Sequence, residues 1–182
     1  MNIVYIIKRL NSLNKLDRIG PDIISSHWRL HFKESMLKLC RKKFRYFSDS
    51  AEFRPGAYAV NCSQISIGMN VIIRPGTMLM ADDFAEVIIE DDVMIGAGVH
   101  IYVNNHKFDI PAVPIIEQGY YPSKNVILKK GCWIGANSIL LPGVTIGENA
   151  VIGAGSIVNH SIKPRTVAGG NPITYIKTIN ER

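Results

Sequence analysis

Between Trp133 and Val158 the chain reads "WIGANSILLPGVTIGENAVIGAGSIV", with an aliphatic residue at every sixth position: Ile134, Leu140, Ile146, Ile152 and Val158. Gly135, Gly147 and Gly153 directly follow three of them, and a small residue stands four after: Ser138, Val144, Ala150 and Ser156. A fixed period takes precedence over local propensity. Six matches neither the 3.6 of a helix nor the plain alternation of a strand. It suits a prism, in which a short strand forms one side and three sides close one coil. The aliphatic points inward, the small residue at the fifth position packs beside it, and the glycine after the aliphatic lets the backbone turn the corner. Coils then stack as parallel strands and satisfy each other's amides.

The same phase runs upstream through Ile67, Ile73 and Leu79, and through Ile89, Ile95 and Ile101; Leu128 restarts it. Two intervals break it. Leu79 to Ile89 is an offset of four, and Ile101 to Leu128 is a long excursion. Such insertions map to loops, where function concentrates.

Before the repeat, Ile3, Ile6, Ile7, Leu10, Leu13 and Leu16 fall at helical spacing and Pro21 ends that element. "SSHWRLHFKESMLKLCRKKFRYF" predicts a second helix capped by Ser25 or Ser26. The domain reading is a basic helical segment over 1–50, then a β-helix over 51–182 with an insertion at 104–126 and a C-terminal tail.

Composition sharpens this. A chain of 182 residues, 47% hydrophobic and 20% charged, is a soluble globular class. No apolar run is long enough to span a membrane, and no signal-peptide cleavage site follows the N-terminal one, so a cytoplasmic location is expected. The net charge of +6 is uneven: residues 1–50 carry eleven Lys/Arg against four Asp/Glu, and 51–182 carry ten against eleven. The basic segment is either a solvated helix face or a surface for an anionic partner, such as a membrane with a lipid-linked acceptor or an acidic glycan. Nucleic-acid motifs are missing. Cys40, Cys62 and Cys132 form no CxxC and read as reduced, structural thiols.

Among five histidines, His106 stands out in "YVNNHKFDIP". It follows the last regular hexad before the excursion, on a loop, among Asn104, Asn105 and Asp109. An imidazole there, on a loop anchored to a rigid coil, suits a general base. Orienting partners are sought in Asp82 and Asp83 of "MADDFAE", or Asp91 and Asp92; Asp92 matches corner positions held elsewhere by Asn70, Gly98 and Asn149. His27 and His31 have an i,i+4 zinc spacing, but "HWRLH" lacks the glutamate of HExxH and a third ligand, so no metal is expected.

The stretches "IGAGVHIY", "WIGANSILLPGVTIG", "VIGAGSIV" and "AGGNP" resemble the hexapeptide-repeat acyltransferases, left-handed parallel β-helix proteins. The likeness covers residues about 60–178 and lies nearest the maltose, galactoside and serine O-acetyltransferase branch, including polysaccharide O-acetyltransferases. It implies that His106 occupies the place of the family's base, and that the amide of Ala136 donates to the oxyanion. It implies that a carboxylate near Asp82 or Asp83 contacts the acceptor, with Asn105 beside it. It further implies acetyl-CoA as co-substrate, held between subunits of a homotrimer along the coils after Trp133. Trp133 and Ala154 would wall that groove, "AGGNP" with Gly169 and Asn171 would lie near the adenine, and Lys163 and Lys177 would meet phosphates. The implied activity is acetyl transfer from acetyl-CoA to a sugar hydroxyl, in cell-surface polysaccharide synthesis. An N-acetyltransferase of amino sugars, a xenobiotic acetyltransferase and a non-enzymatic β-helix scaffold are the alternatives. The acceptor and the acyl length are not readable from these residues, because acceptor contacts come from freely varying loops.

Overall fold

A computed structural model describes residues 3–180. The repeat forms a left-handed parallel β-solenoid with three faces. The first face stacks Tyr58–Val60, Met78–Met80, His100–Tyr102, Ile139–Leu140 and Ile157–Val158. The second stacks Tyr46–Phe47, Ile65–Ile67, Val87–Ile89, Val126–Leu128 and Thr145–Ile146. The third holds Met94–Ile95, Trp133–Ile134, Val151–Ile152 and Thr166–Gly169, with Thr174–Thr178 returning antiparallel on top. Glu52–Phe53 and Ile72–Ile73 form its lower part. The solenoid therefore begins at Tyr46, four residues upstream of the division at residue 50.

The period-six aliphatics are the core. Ile67, Ile73, Leu79, Ile101, Leu128, Ile134, Leu140, Ile146 and Val158 have no exposed surface. Ser138 and Ser156 are equally buried at the fifth position, and their hydroxyls donate to the carbonyl of Gly153, so polar groups inside the prism stay satisfied.

The corners differ from the sequence expectation. The left-handed residue that turns the chain is the third after each aliphatic: Asn70, Gly76, Asp92, Gly98, Gly131, Asn137, Gly143, Asn149 and Gly155 all have positive φ. Gly and Asn tolerate that conformation best. The glycine directly after the aliphatic serves stacking instead. A Cβ on Gly96 would sit 2.4 Å from the Ala136 nitrogen, and one on Gly135 2.4 Å from the Ala154 nitrogen. Coils of parallel backbone approach too closely there for any side chain.

The N-terminal segment plugs the open end of the prism. Arg18–Ile19 pairs antiparallel with Ala59–Val60, and Ile23, Leu30, Met36, Leu39, Cys40 and Phe44 are buried beneath it. The single second helix expected here is broken: Ile24–His27 is helical, Trp28–His31 is a 3₁₀ turn and Lys33–Lys43 is a separate helix. The break falls at Phe32, whose backbone is extended (φ −122°, ψ 116°). Neither serine caps a helix. Ser25 donates to the Asn14 side chain and Ser26 to the Ile23 carbonyl. Leu30 and Met36 are both buried, although six residues place them about 240° apart around one straight helix; the break lets both turn inward.

The basic residues of Lys33–Lys43 and its exit do not form one patch. Arg41 pairs with Asp49 and Arg45 with Glu86, while the Lys43 ammonium donates to the carbonyls of Asn14 and Leu16. Among the described residues no helix is long and apolar enough to cross a membrane.

Candidate active site

The long excursion leaves the solenoid after the first-face strand His100–Tyr102 and rejoins it at Val126–Leu128. It folds back on itself. Lys107 N–H donates to Gly119 C=O and Tyr121 N–H to Asn105 C=O, both at 2.9 Å. This brings His106 opposite Tyr120. Their rings lie 4.3 Å apart at 31°, so the imidazole rests on the phenol face while remaining exposed. The tip is stitched by Gln118, which bonds the backbone of Ile110 in both directions and the Val113 carbonyl.

Asp82 ties the roots of this loop together. It occupies the four-residue phase offset, where "ADDFA" makes a tight turn and Asp82 accepts the N–H groups of Phe84 and Ala85, each at 2.9 Å. Its other oxygen accepts from Asn104 Nδ2 at 2.8 Å and from the Ser123 hydroxyl. Asn104 precedes His106 by two residues, and Ser123 stands near the return. Partial burial raises the Asp82 pKa, but the donors Ser123, Phe84, Asn104 and Ala85 outweigh it and hold the carboxyl below its ordinary value. Asp83 accepts from Asn61 at 3.0 Å. Asp82, Asp83, Asn104, Lys107, Tyr120 and Ser123 line a cleft of about 600 Å³.

Among the described residues no hydrogen bond joins the His106 ring to Asp82 or Asp83. Asp82 instead holds the two ends of the loop that carries His106, through Asn104 and Ser123. Asp109, also near His106 in sequence, bonds the Tyr121 hydroxyl instead. Asp91 and Asp92 serve corners, binding Met69 N–H and Asn70 Nδ2. Asn105 is exposed, and its side chain accepts the His106 N–H. Tyr120 and Ser123 were not singled out by sequence reasoning; "GYYPS" carries no spacing signal, and only the fold of the loop brings them to His106 and Asp82.

Most of the residues expected to hold acetyl-CoA gather elsewhere. Where the third face turns into the first, Gly96–Gly98, Gly135–Asn137 and Gly153–Gly155 stack in successive coils, and Gly169–Gly170 continues the edge. The residues are small, and the amides of Ala97, Ala136 and Ala154 bond no other group among the described residues. Trp133, 47% exposed, stands beside this edge in register with Met94 and Val151, over a cleft of about 450 Å³ that also touches Ile72, Arg74 and Gly96. Asn171 lies in the exposed turn above, and Lys177 pairs with Val167 on the exposed antiparallel strand. Lys163 is not part of this group. It follows Ile162 at the corner between the second and third faces, in a separate cavity of about 720 Å³ with Thr145 and Gly147.

Within one chain His106 and Ala136 therefore occupy opposite edges of the first face. A side of about six residues at roughly 3.3 Å each separates them, on the order of 20 Å. One chain alone cannot bring the imidazole and that amide to a single reacting atom.

Comparisons with known proteins agree with this architecture. A family model described as bacterial transferase hexapeptide (six repeats) matches residues 125–160, and one described as hexapeptide repeat of succinyl-transferase matches 86–102. Comparison with curated proteins finds no match. Among solved structures, a galactoside acetyltransferase in complex with coenzyme A is 31% identical, with TM-score 0.75, over 86% of this chain and 78% of that one. A maltose O-acetyltransferase from Clostridium difficile 630 is 28% identical, with TM-score 0.71, over 97% and 86%. A mutant of AntD, an N-acyltransferase from Bacillus cereus, in complex with dTDP and coenzyme A is 27% identical, with TM-score 0.60, over 72% and 81%. The chain belongs to the hexapeptide-repeat, left-handed β-helix acyltransferase family.

Proposed function

We propose that the protein transfers an acetyl group from acetyl-CoA to a sugar hydroxyl, in cell-surface polysaccharide synthesis, with His106 as general base and the Ala136 amide as oxyanion donor. The observation that carries this reading is the placement of His106 against Tyr120, on a loop rooted by Asp82 beside a cleft that Asp82, Asp83 and Asn104 line. His106 accepts the proton of the acceptor hydroxyl as that oxygen attacks the thioester carbonyl. The Ala136 N–H donates to the oxyanion that develops. Collapse breaks the carbon–sulfur bond, and His106 returns its proton to the departing thiolate. Asp83 and Asn105, exposed at the cleft and its loop, offer hydrogen bonds to the remaining hydroxyls of a sugar.

The exposed Gly/Ala edge suits the co-substrate. Unpaired amides and absent side chains allow a thin pantetheine chain to lie along the backbone, with Trp133 as an apolar wall. Gly169, Asn171 and Lys177 continue the edge toward the adenosine end. Lys163 would meet phosphate only from a different edge. Because His106 and Ala136 lie a face apart, the site is complete only when a second copy sets its Gly/Ala edge beside the first copy's loop. Three prisms arranged head to tail close such a ring, giving a homotrimer with three shared sites.

Free-thiol release from acetyl-CoA across a panel of sugars, nucleotide sugars and lipid-linked oligosaccharides tests the reading. An amino sugar as the preferred acceptor would move the protein to the N-acyltransferase side, where the AntD likeness lies. Turnover with no acceptor, or a catalytically active monomer in sedimentation, would overturn it.

A further inference from the structure

The N-terminal plug contains a concave site that the acetyl-transfer reading leaves unused. It is a cleft of about 740 Å³ between the first helix, the 3₁₀ turn and the Lys33–Lys43 helix, remote from His106 in the fold. Its walls include Lys15, Arg29, Lys42 and Lys43, with the Trp28 indole alongside. Asp17 is the lone carboxylate of the lining, and it is engaged by Ser63, which donates both its backbone N–H at 3.2 Å and its hydroxyl at 2.6 Å. Lys43 is engaged too, through the Asn14 and Leu16 carbonyls. Lys15, Arg29 and Lys42 form no ion pair among the described residues. Three uncompensated cations thus face one hollow, whereas Arg41 and Arg45 on the same segment are neutralised. Positive potential focused in a concavity selects an anion.

The surface of the same N-terminal segment, which Trp28 joins to the cleft, shows which anion. Ile24, Trp28 and Phe32 are 77%, 55% and 59% exposed, and the rings of Trp28 and Phe32 meet edge-on at 6.1 Å. The neighbouring helix Ile3–Asn14 buries no residue, and Ile3, Val4, Tyr5 and Ile7 are each more than half exposed. That helix holds Lys8 and Arg9 and no acidic residue. A soluble small anion has no use for this apolar skirt. Glu34 also borders Trp28 and Phe32, but cations outnumber carboxylates around these exposed aliphatics and aromatics, which is the pattern of a surface lying in a lipid interface.

We propose that the Lys15–Arg29–Lys42 cleft binds the phosphate of anionic lipid headgroups, with Ile24, Trp28, Phe32 and the apolar face of Ile3–Asn14 entering the bilayer interface around it. The plug end of the solenoid then faces the membrane, and the acyl-transfer edges stand perpendicular to it. An acceptor carried on a lipid phosphate would be delivered along the same surface.

Vesicle co-sedimentation of the full-length protein tests this. Vesicles of phosphatidylcholine with phosphatidylglycerol should bind it at low salt, and vesicles of phosphatidylcholine alone should not. Binding should shift Trp emission to the blue, and Trp28→Phe should abolish that shift while Trp133 remains. The triple variant Lys15→Gln/Arg29→Gln/Lys42→Gln should bind on the order of 10²-fold more weakly, since each basic residue at such a surface contributes about five-fold. Thiol release with a soluble acceptor should be unchanged, which both reports a folded variant and separates this site from the acetyl-transfer reading. Equal binding to both vesicle types, full binding by the triple variant, or titration of the cleft by inorganic phosphate without vesicle binding would each overturn the lipid assignment.

Discussion

Tyr120 lies against the face of His106, ring centroids 4.3 Å apart, and the same pair closes the backbone of the long loop. The imidazole is otherwise exposed, so this stack fixes the direction of its nitrogens. His106→Ala should lower kcat on the order of 10²–10⁴-fold with coenzyme A binding nearly intact. Tyr120→Ala should leave the base present but free to swing, and should lower kcat by as much as about 10²-fold, since misplacement by roughly 1 Å costs that much. Tyr120→Phe retains the stack and should retain most of the rate. Steady-state kinetics of the three variants decide the matter; equal rates for Tyr120→Ala and wild type would leave the ring no positioning role.

Asp82 gives a pH dependence with a definite sign. Its donors hold the folded carboxyl below its unfolded value of about 3.9. Its contribution to loop stability is then complete above the unfolded pKa and is lost as pH falls through the lower folded value. Protection of the 104–124 amides, taken relative to the intrinsic exchange rate at each pH, should fall on acidification below about pH 4. Asp82→Asn should raise exchange at neutral pH and remove most of that pH dependence, with KM for the acceptor increased. An unchanged exchange profile in Asp82→Asn would show that Asn104 and Ser123 do not depend on the carboxylate.

Gly96 joins fold and chemistry. A methyl group there meets the Ala136 nitrogen at 2.4 Å, and its nearest neighbours are all backbone of Gly135 and Ala136, with no flexible side chain to yield. Gly96→Ala should destabilise by about 1–3 kcal/mol, as overpacking does, and should also displace the proposed oxyanion donor. Gly155→Ala is the control. Its Cβ meets nothing within 4 Å, and its cost is backbone strain at φ +69° alone, about 1–2 kcal/mol. Melting temperatures should fall in both, but kcat should collapse only in Gly96→Ala. Co-refolding Gly96→Ala with His106→Ala should restore activity if each site draws its loop and its edge from different copies; hybrids as inactive as the parents would rule out shared sites.

The thiols should be silent. Cys40, Cys62 and Cys132 are buried, and burial pushes Cys62 and Cys132 up to about 12 and raises Cys40 as well. The thiolate is the reactive form. A thiol reagent at mildly alkaline pH should label none of them in the native protein and all of them in denaturant. Rapid native labelling at any of the three would contradict their structural role.

The repeat was legible residue by residue. Each aliphatic at period six is buried because a prism side of fixed length returns that position to the axis, whatever the rest of the chain does. The loop that carries His106 was legible for a related reason: the phase breaks at Ile101, and a break in a strict period marks where the chain leaves the stack. Local patterns that depend on a partner surface were less legible. The segment after Pro21 has the composition of one helix, yet it breaks at Phe32 because Leu30 and Met36 must both reach the end of the prism. The five basic residues from Lys38 to Arg45 look like one patch, but Asp49 and Glu86 neutralise two of them from places that only the coil stacking supplies.

The sequence by itself determined the coil, its inward residues, the position of the loop and the identity of its histidine. Those follow from spacing along one strand of chain. Tertiary structure alone decided the stack of Tyr120 on His106, the tie of Asp82 to both loop roots, and the separation of His106 from Ala136 across a face. Each of these depends on which residues of different coils meet, and a left-handed coil of about eighteen residues with two irregular interruptions sets that meeting through the register of backbone hydrogen bonds and the close approach of glycines. That information is shared between residues far apart in the chain, so no single stretch of it carries the answer.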